Sequence, residues 1–189
     1  AFAIFRDLVY HSTNGVDWVS AETPLASEVG RVRFINGRFI GVGGDDDGFI
    51  FSSVDGLAWE KMILEGTGWL AGVAYGKGRY VAVGRDVSAV SFDGTNWMTQ
   101  PISFGGWDVT FANGWFLAVG PNYVTMISRD GLQWKLVDSP VVNNYALENL
   151  AFGEGVVVAN GGLSLYRGTV SDSDDFKKRL RLLSPAQLE

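Results

Sequence analysis

The chain has 189 residues, 47% hydrophobic and 19% charged, which is enough for a substantial core and too apolar for general disorder. It holds no cysteine and one histidine, which excludes disulfides, thiolate catalysis, Cys-based zinc sites and multi-His metal sites. A net charge of −6 argues against nucleic acid as a partner, and no apolar run reaches the roughly 18–20 residues of a transmembrane segment.

The chain starts at Ala1 rather than Met, as expected of a processed, trimmed or partial chain. Residues 1–11 read as strands, with Ala3-Ile4 matching the second strand of later units and His11 at a strand end. His11 has no evident partner and is read as a surface residue. Ser12-Thr13-Asn14-Gly15-Val16-Asp17-Trp18 follows, and it is the first copy of a motif. The others are Ser53-Val54-Asp55-Gly56-Leu57-Ala58-Trp59, Ser91-Phe92-Asp93-Gly94-Thr95-Asn96-Trp97 and Ser128-Arg129-Asp130-Gly131-Leu132-Gln133-Trp134.

A second motif keeps step with the first. It runs Val32-Arg33-Phe34-Ile35-Asn36-Gly37-Arg38-Phe39-Ile40-Gly41-Val42-Gly43, and returns over 73–84, 109–120 and, weaker at its end, 150–159. Apolar alternation and Asx-Gly or Gly-x-Gly turns divide each unit into four short strands. In the third unit these fall near 70–75, 79–83, 87–91 and 96–100. No helix is predicted before residue 170, so a parallel α/β sheet with crossover helices is excluded.

Tandem four-stranded units of about 40 residues specify an all-β fold, a β-propeller. Three units are complete, while the first lacks strand one and the last lacks the tryptophan motif, so about five blades are expected over 1–170. How the ring closes stays open between shared end strands and a piece of a longer propeller. Trp18, Trp59, Trp97 and Trp134 are expected to pack between blades, and Gly41, Ala82 and Ala118 to ease crowding near the centre. Residues 171–189 form a tail. Ser173-Asp174-Asp175 suits a helix start, and Phe176, Leu180 and Leu183 share one face among Lys177, Lys178, Arg179 and Arg181. A short amphipathic helix against the propeller is favoured over a membrane or partner helix.

The Ser-x-Asp/Asn-Gly-x-x-Trp motif resembles the Asp-box, or BNR, repeat of sialidase-like and related propellers, one residue shorter than its usual form. With the preceding strands it looks more like bacterial exported and surface propellers of mostly unassigned function. The resemblance implies that the boxes are structural and lie away from the binding face. The residues agree, because a hairpin Asp accepts backbone N–H bonds and fixes its turn.

One face of such a scaffold carries short regular hairpins and the other carries variable loops. The variable loops hold Asp45, Asp46, Asp47, Arg85, Trp69, Trp107, Tyr123, Asn144 and Tyr145. Aromatics beside Asn, Asp and Arg suit a carbohydrate or protein partner, and these are the candidate ligand-binding residues. Asp45-Asp46-Asp47 also has the oxygen donors to hold Ca²⁺, although the spacing is not that of an EF-hand and a solvated loop is favoured. No catalytic residue, other cofactor or metal site is assigned. Gly76-Lys77-Gly78 lies between strands and is not a phosphate loop.

The expected function is a non-catalytic binding or assembly module presented outside the cytoplasm. A sialidase-like glycoside hydrolase is the enzymatic alternative. It would require an arginine cluster, and Arg31, Arg33 and Arg85 do not suggest one from their spacing. A subunit of a larger extracellular assembly, held by unpaired strand edges, is the third reading.

Overall fold

The hairpins form where the sequence supplies two consecutive residues with positive φ. Asn36-Gly37, Lys77-Gly78, Asn113-Gly114 and Glu154-Gly155 all do so, with φ between 45° and 85°. This pairing matches the right-handed twist of the flanking strands. In each case the residues on either side of the turn are paired directly, as Gly76 is with Arg79 and Ala112 with Trp115.

The computed structural model describes residues 2–5, 8–12, 14–22, 29–137, 146–161 and 164–169. They form five antiparallel sheets. Sheet 1 holds β1 (Phe2–Phe5), β2 (Leu8–His11) and β3 (Val19–Glu22). Sheet 2 holds β4 (Val29–Ile35), β5 (Arg38–Gly44), β6 (Gly48–Ser53) and β7 (Glu60–Leu64). Sheet 3 holds β8 (Leu70–Gly76), β9 (Arg79–Gly84), β10 (Val87–Ser91) and β11 (Met98–Pro101). Sheet 4 holds β12 (Asp108–Ala112), β13 (Trp115–Val119), β14 (Thr125–Ser128) and β15 (Trp134–Val137). Sheet 5 holds β16 (Asn149–Gly153), β17 (Val156–Gly161) and β18 (Ser164–Thr169). Strands follow chain order within every sheet, as the repeat predicts.

The core lies between the sheets. One layer joins Ile40, Val42 and Ile50 of sheet 2 to Val73, Tyr80 and Trp97 of sheet 3. The next joins Val81, Val83 and Val90 of sheet 3 to Val109, Phe116 and Met126 of sheet 4. A third joins Leu117, Val119 and Ile127 of sheet 4 to Leu150, Val157 and Tyr166 of sheet 5. β9 and β13 are buried on both faces, so they read as continuous apolar runs. β17 alternates between buried and half-buried residues, because only one of its faces is covered.

The Ser–Asx turns are built alike. Ser53 Oγ donates to Asp55 Oδ1 at 3.0 Å and accepts Gly56 N–H at 2.8 Å. Asp55 Oδ1 accepts the N–H groups of Leu57 and Ala58 at 2.8 and 2.9 Å. Asp93 and Asp130 repeat this, and Asn14 does so with a neutral amide oxygen. These bonds hold the carboxyls below their ordinary range. At Asp55 the leading cause is the Leu57 N–H, and at Asp93 it is the Asn96 side chain. At Asp130 burial pushes the value up first, but the N–H groups of Gln133 and Leu132 outweigh it.

The expectation for the four motif tryptophans needs one correction. Trp97 is buried, and Trp59 and Trp134 are half-buried with their indole N–H donating to Gly56 and Gly131 carbonyls. Trp18 is 43% exposed. The turns of sheets 3 and 4 seat on the preceding sheet. A Cβ at Gly94 would touch Arg38 and Ile40, and one at Gly131 would run into Val81. A Cβ at Gly15 would meet nothing within 4 Å, so no earlier sheet covers Trp18 among the described residues. Residues 171–189, with the expected tail helix, lie outside the described residues.

Candidate functional site

Four equivalent positions near the start of the first strands of sheets 2 to 5 hold Arg31, Gly72, Asp108 and Asn149. Each stands one residue before the repeated apolar position of Val32, Val73, Val109 and Leu150. The repeat brings them to one place. Arg31 Nη1 lies 2.7 Å from Asp108 Oδ2, and its Nη2 donates to Asn149 Oδ1 at 2.6 Å. Arg33 Nη2 lies 2.9 Å from Asp108 Oδ1, and its Nη1 donates to the Val109 carbonyl. Gly72 leaves the space that Asp108 fills, since a Cβ there would fall 2.7 Å from Asp108 Cα.

Asp108 is fully buried, and the arginine side chains are about a quarter exposed. Its carboxylate also accepts the N–H groups of Val109 and Leu150, both at 2.8 Å. One acid thus ties sheets 2, 4 and 5 together. Burial pushes the Arg33 guanidinium below its ordinary value, Asp108 opposes this, and Arg31 adds to the lowering. Two arginines on one carboxylate leave one net positive charge there.

Farther out, the loops on the same side form two adjoining hollows. One, of about 440 Å³, is lined by Asp45, Trp69, Arg85, Asp86, Gly105, Trp107 and Pro121. The other, of about 500 Å³, is lined in part by Asp45, Asp46, Arg85, Asp86, Thr67 and Thr99. Backbone bonds fix the walls. Arg85 N–H donates to the Trp69 carbonyl, Trp107 N–H to Val119 and Gly106 N–H to Gly84. Trp69 Nε1 stands above Gly30, next to Arg31, so the hollow adjoins the charged network.

Of the predicted binding residues, the structure brings Trp69, Trp107, Arg85, Asp45 and Asp46 together. Asp47 lines neither hollow; its Oδ1 accepts Gly66 N–H at 2.6 Å and holds the loop. Among the described residues no group of three or more acidic, His or Cys side chains gathers in a way that could hold a metal ion. Tyr123 falls on the 3-10 turn Pro121–Tyr123, with its side chain outside the described residues. Asn144 and Tyr145 lie outside them altogether. His11 sits on β2.

Sequence reasoning missed Asp108 and did not join it to Arg31 and Arg33. The signal lay in the repeat itself: complementary charges at equivalent positions of different units. It also placed central crowding at Gly41, where the near neighbours are Val32 and Phe51 of the same sheet; backbone of neighbouring sheets comes close at Gly72.

No family model and no curated protein matches this sequence. Solved structures do. One described as YCF48 bound to D1 peptide is 19% identical with a TM-score of 0.59, over 90% of this chain and 62% of that one. A chain of the mitotic checkpoint complex is 12% identical with a TM-score of 0.71, over 97% and 60%. The WD40 domain of Neurospora crassa Pan2 is 10% identical with a TM-score of 0.60, over 97% and 64%. The fold is a β-propeller. The five sheets are its blades, and Asp108 stands on the inner strand of the fourth. At these identities the likeness speaks for the fold alone. The chain spans less than two thirds of the length of each of these propellers.

Proposed function

We propose that this chain is a non-catalytic propeller binding module that captures a peptide segment of a protein partner on its loop face. The observation that carries the reading is the convergence of Trp69 and Trp107, from successive blades, on one hollow with Arg85, Asp45 and Asp86. Neither tryptophan belongs to the repeated core template. Two aromatic walls with a few fixed polar groups suit a side chain and its flanking backbone. A propeller of similar fold is described as bound to a peptide, which supports the same use here. The structural Ser–Asx turns support kinship with Asp-box propellers, in which such turns stand apart from the binding face. The non-catalytic reading is supported by Asp108, whose oxygens are already taken up by two arginines and two backbone amides.

A peptide array and a glycan array, probed with the purified chain, test this directly. Peptides are expected to bind, and Trp69→Ala and Trp107→Ala to abolish capture with little change in melting temperature. Capture of glycans alone, or of peptides unaffected by both substitutions, would overturn the reading.

A further inference from the structure

Three acids line the two hollows of the loop face. Asp45 and Asp86 stand with Trp69 and Trp107 in one, and Asp46 joins them in the other. Main-chain bonds fix where these acids sit. The Asp46 carbonyl accepts Gly68 N–H at 3.0 Å, the Asp86 carbonyl accepts Ile102 N–H at 3.0 Å, and Asp45 N–H donates to the Asp47 carbonyl at 3.2 Å.

Their carboxylates are left unused. The carboxylates of Asp47, Asp55, Asp93, Asp108 and Asp130 each accept at least one backbone N–H. Among the described residues no hydrogen bond or ion pair engages those of Asp45, Asp46 and Asp86. Arg85 is the one cation among the described residues that line either hollow, and its guanidinium is unpaired as well. Negative charge therefore exceeds positive there, and a concave wall of one sign draws in a ligand of the other.

The aromatic walls ask for the same ligand. A tryptophan face attracts a cation through its ring quadrupole, and a long basic side chain can lay its apolar stem on the ring while its head stays polar. The chain already makes such a contact elsewhere, with the Arg129 guanidinium 3.8 Å from the centre of the Trp115 ring. Gly105 keeps the space beside Trp107 clear, since a Cβ there would stand 3.1 Å from the Arg85 carbonyl oxygen and 3.5 Å from the Pro121 ring.

We propose, resting on the peptide-binding reading, that the hollow between Trp69 and Trp107 takes a basic side chain of the partner, arginine above lysine. A planar guanidinium stacks on an indole and offers a fork of donors to a carboxylate, which a lysine ammonium does not match. The tryptophans make the site, and Asp45 and Asp86 choose the charge of what fills it. Arg85 opposes the incoming cation.

The test is a peptide array on which each captured sequence is reprinted with arginine replaced by citrulline and lysine by acetyl-lysine, which keep the shape and lose the charge. Captured peptides are expected to contain a basic residue and to lose about tenfold in affinity on its replacement. Asp45→Asn combined with Asp86→Asn is expected to weaken capture by a similar factor. Arg85→Gln is expected to strengthen it several-fold, which no merely structural role of Arg85 would do. All three side chains are exposed, and the thermal transition of each variant checks that it is folded. Peptides that bind equally well without the charge, a double Asn variant that binds unchanged, or an Arg85→Gln chain that binds more weakly would overturn the basic side chain and leave the peptide reading standing. Capture of no peptide, or capture unaffected by Trp69→Ala and Trp107→Ala, would overturn both.

Discussion

Asp108 occupies the space that a side chain on Gly72 would need. The two residues hold equivalent positions on neighbouring inner strands, and a Cβ on Gly72 would approach Asp108 Oδ1 to 2.9 Å and Val109 N to the same distance. The glycine and the buried acid are therefore one feature of the propeller axis.

Gly72→Ala tests that coupling. The clash is with backbone atoms of β12, so neighbouring side chains cannot relieve it by changing rotamer. A loss of about 1–3 kcal/mol is expected, as for other overpacked cores. Gly15→Ala is the contrasting case, with open space around the Cβ but a φ of 77°. Its cost is conformational only. Chemical denaturation of both variants measures the difference.

Removing the acid leaves two cations facing each other. Asp108→Ala is expected to cost about 3–4 kcal/mol, because it strands the charges of Arg31 and Arg33 and the amides of Val109 and Leu150. Adding Arg31→Met and Arg33→Met should recover the charge repulsion but not the amide part. A cycle of urea unfolding midpoints separates the two, and a triple variant no more stable than Asp108→Ala would refute the charge argument.

The Ser–Asx turns predict acid sensitivity. Asp55, Asp93 and Asp130 all have carboxyls lowered in the folded state. Their contribution is full above the unfolded value of about 4 and is lost as pH falls through the folded values. Stability should therefore fall below about pH 4. Asn14 shows that an amide can make the same turn. Asp93→Asn should flatten that acid slope while keeping the fold, as melting curves from neutral pH down to pH 3 would show.

Lys77 adopts φ 48° in the turn between β8 and β9, where two equivalent turns place Asn. A lysine gains nothing from that conformation, whereas asparagine tolerates it. Lys77→Asn is expected to raise stability by about 0.5 kcal/mol, a gain typical of optimised turns. An unchanged or lower melting temperature would count against it.

Much of the fold was legible in the residues. Strands, turns and sheet order follow from local rules, namely alternation, Asx-Gly dipeptides and a motif repeated in step. The predicted strands of the third unit, 70–75 and 79–83, match β8 and β9 almost residue for residue. The fourth strand begins later, at Met98, because Trp97 ends the Ser–Asx turn. Part of the loop-face cluster was also legible, since Trp69 and Trp107 stood outside the repeated template.

The network at the axis was not legible from any single unit. Arg31, Asp108 and Asn149 are separated by scores of residues, and none is unusual in its own segment. Each blade copies a local pattern, so the sequence alone determined how many sheets form, their strand order and their turns. Which side chains meet at the axis depends on how one sheet sits on the next, and that was decided only by tertiary packing. Gly72 lets two inner strands approach, Asp108 fills the gap, and the arginines neutralise it because a buried carboxylate cannot stand alone.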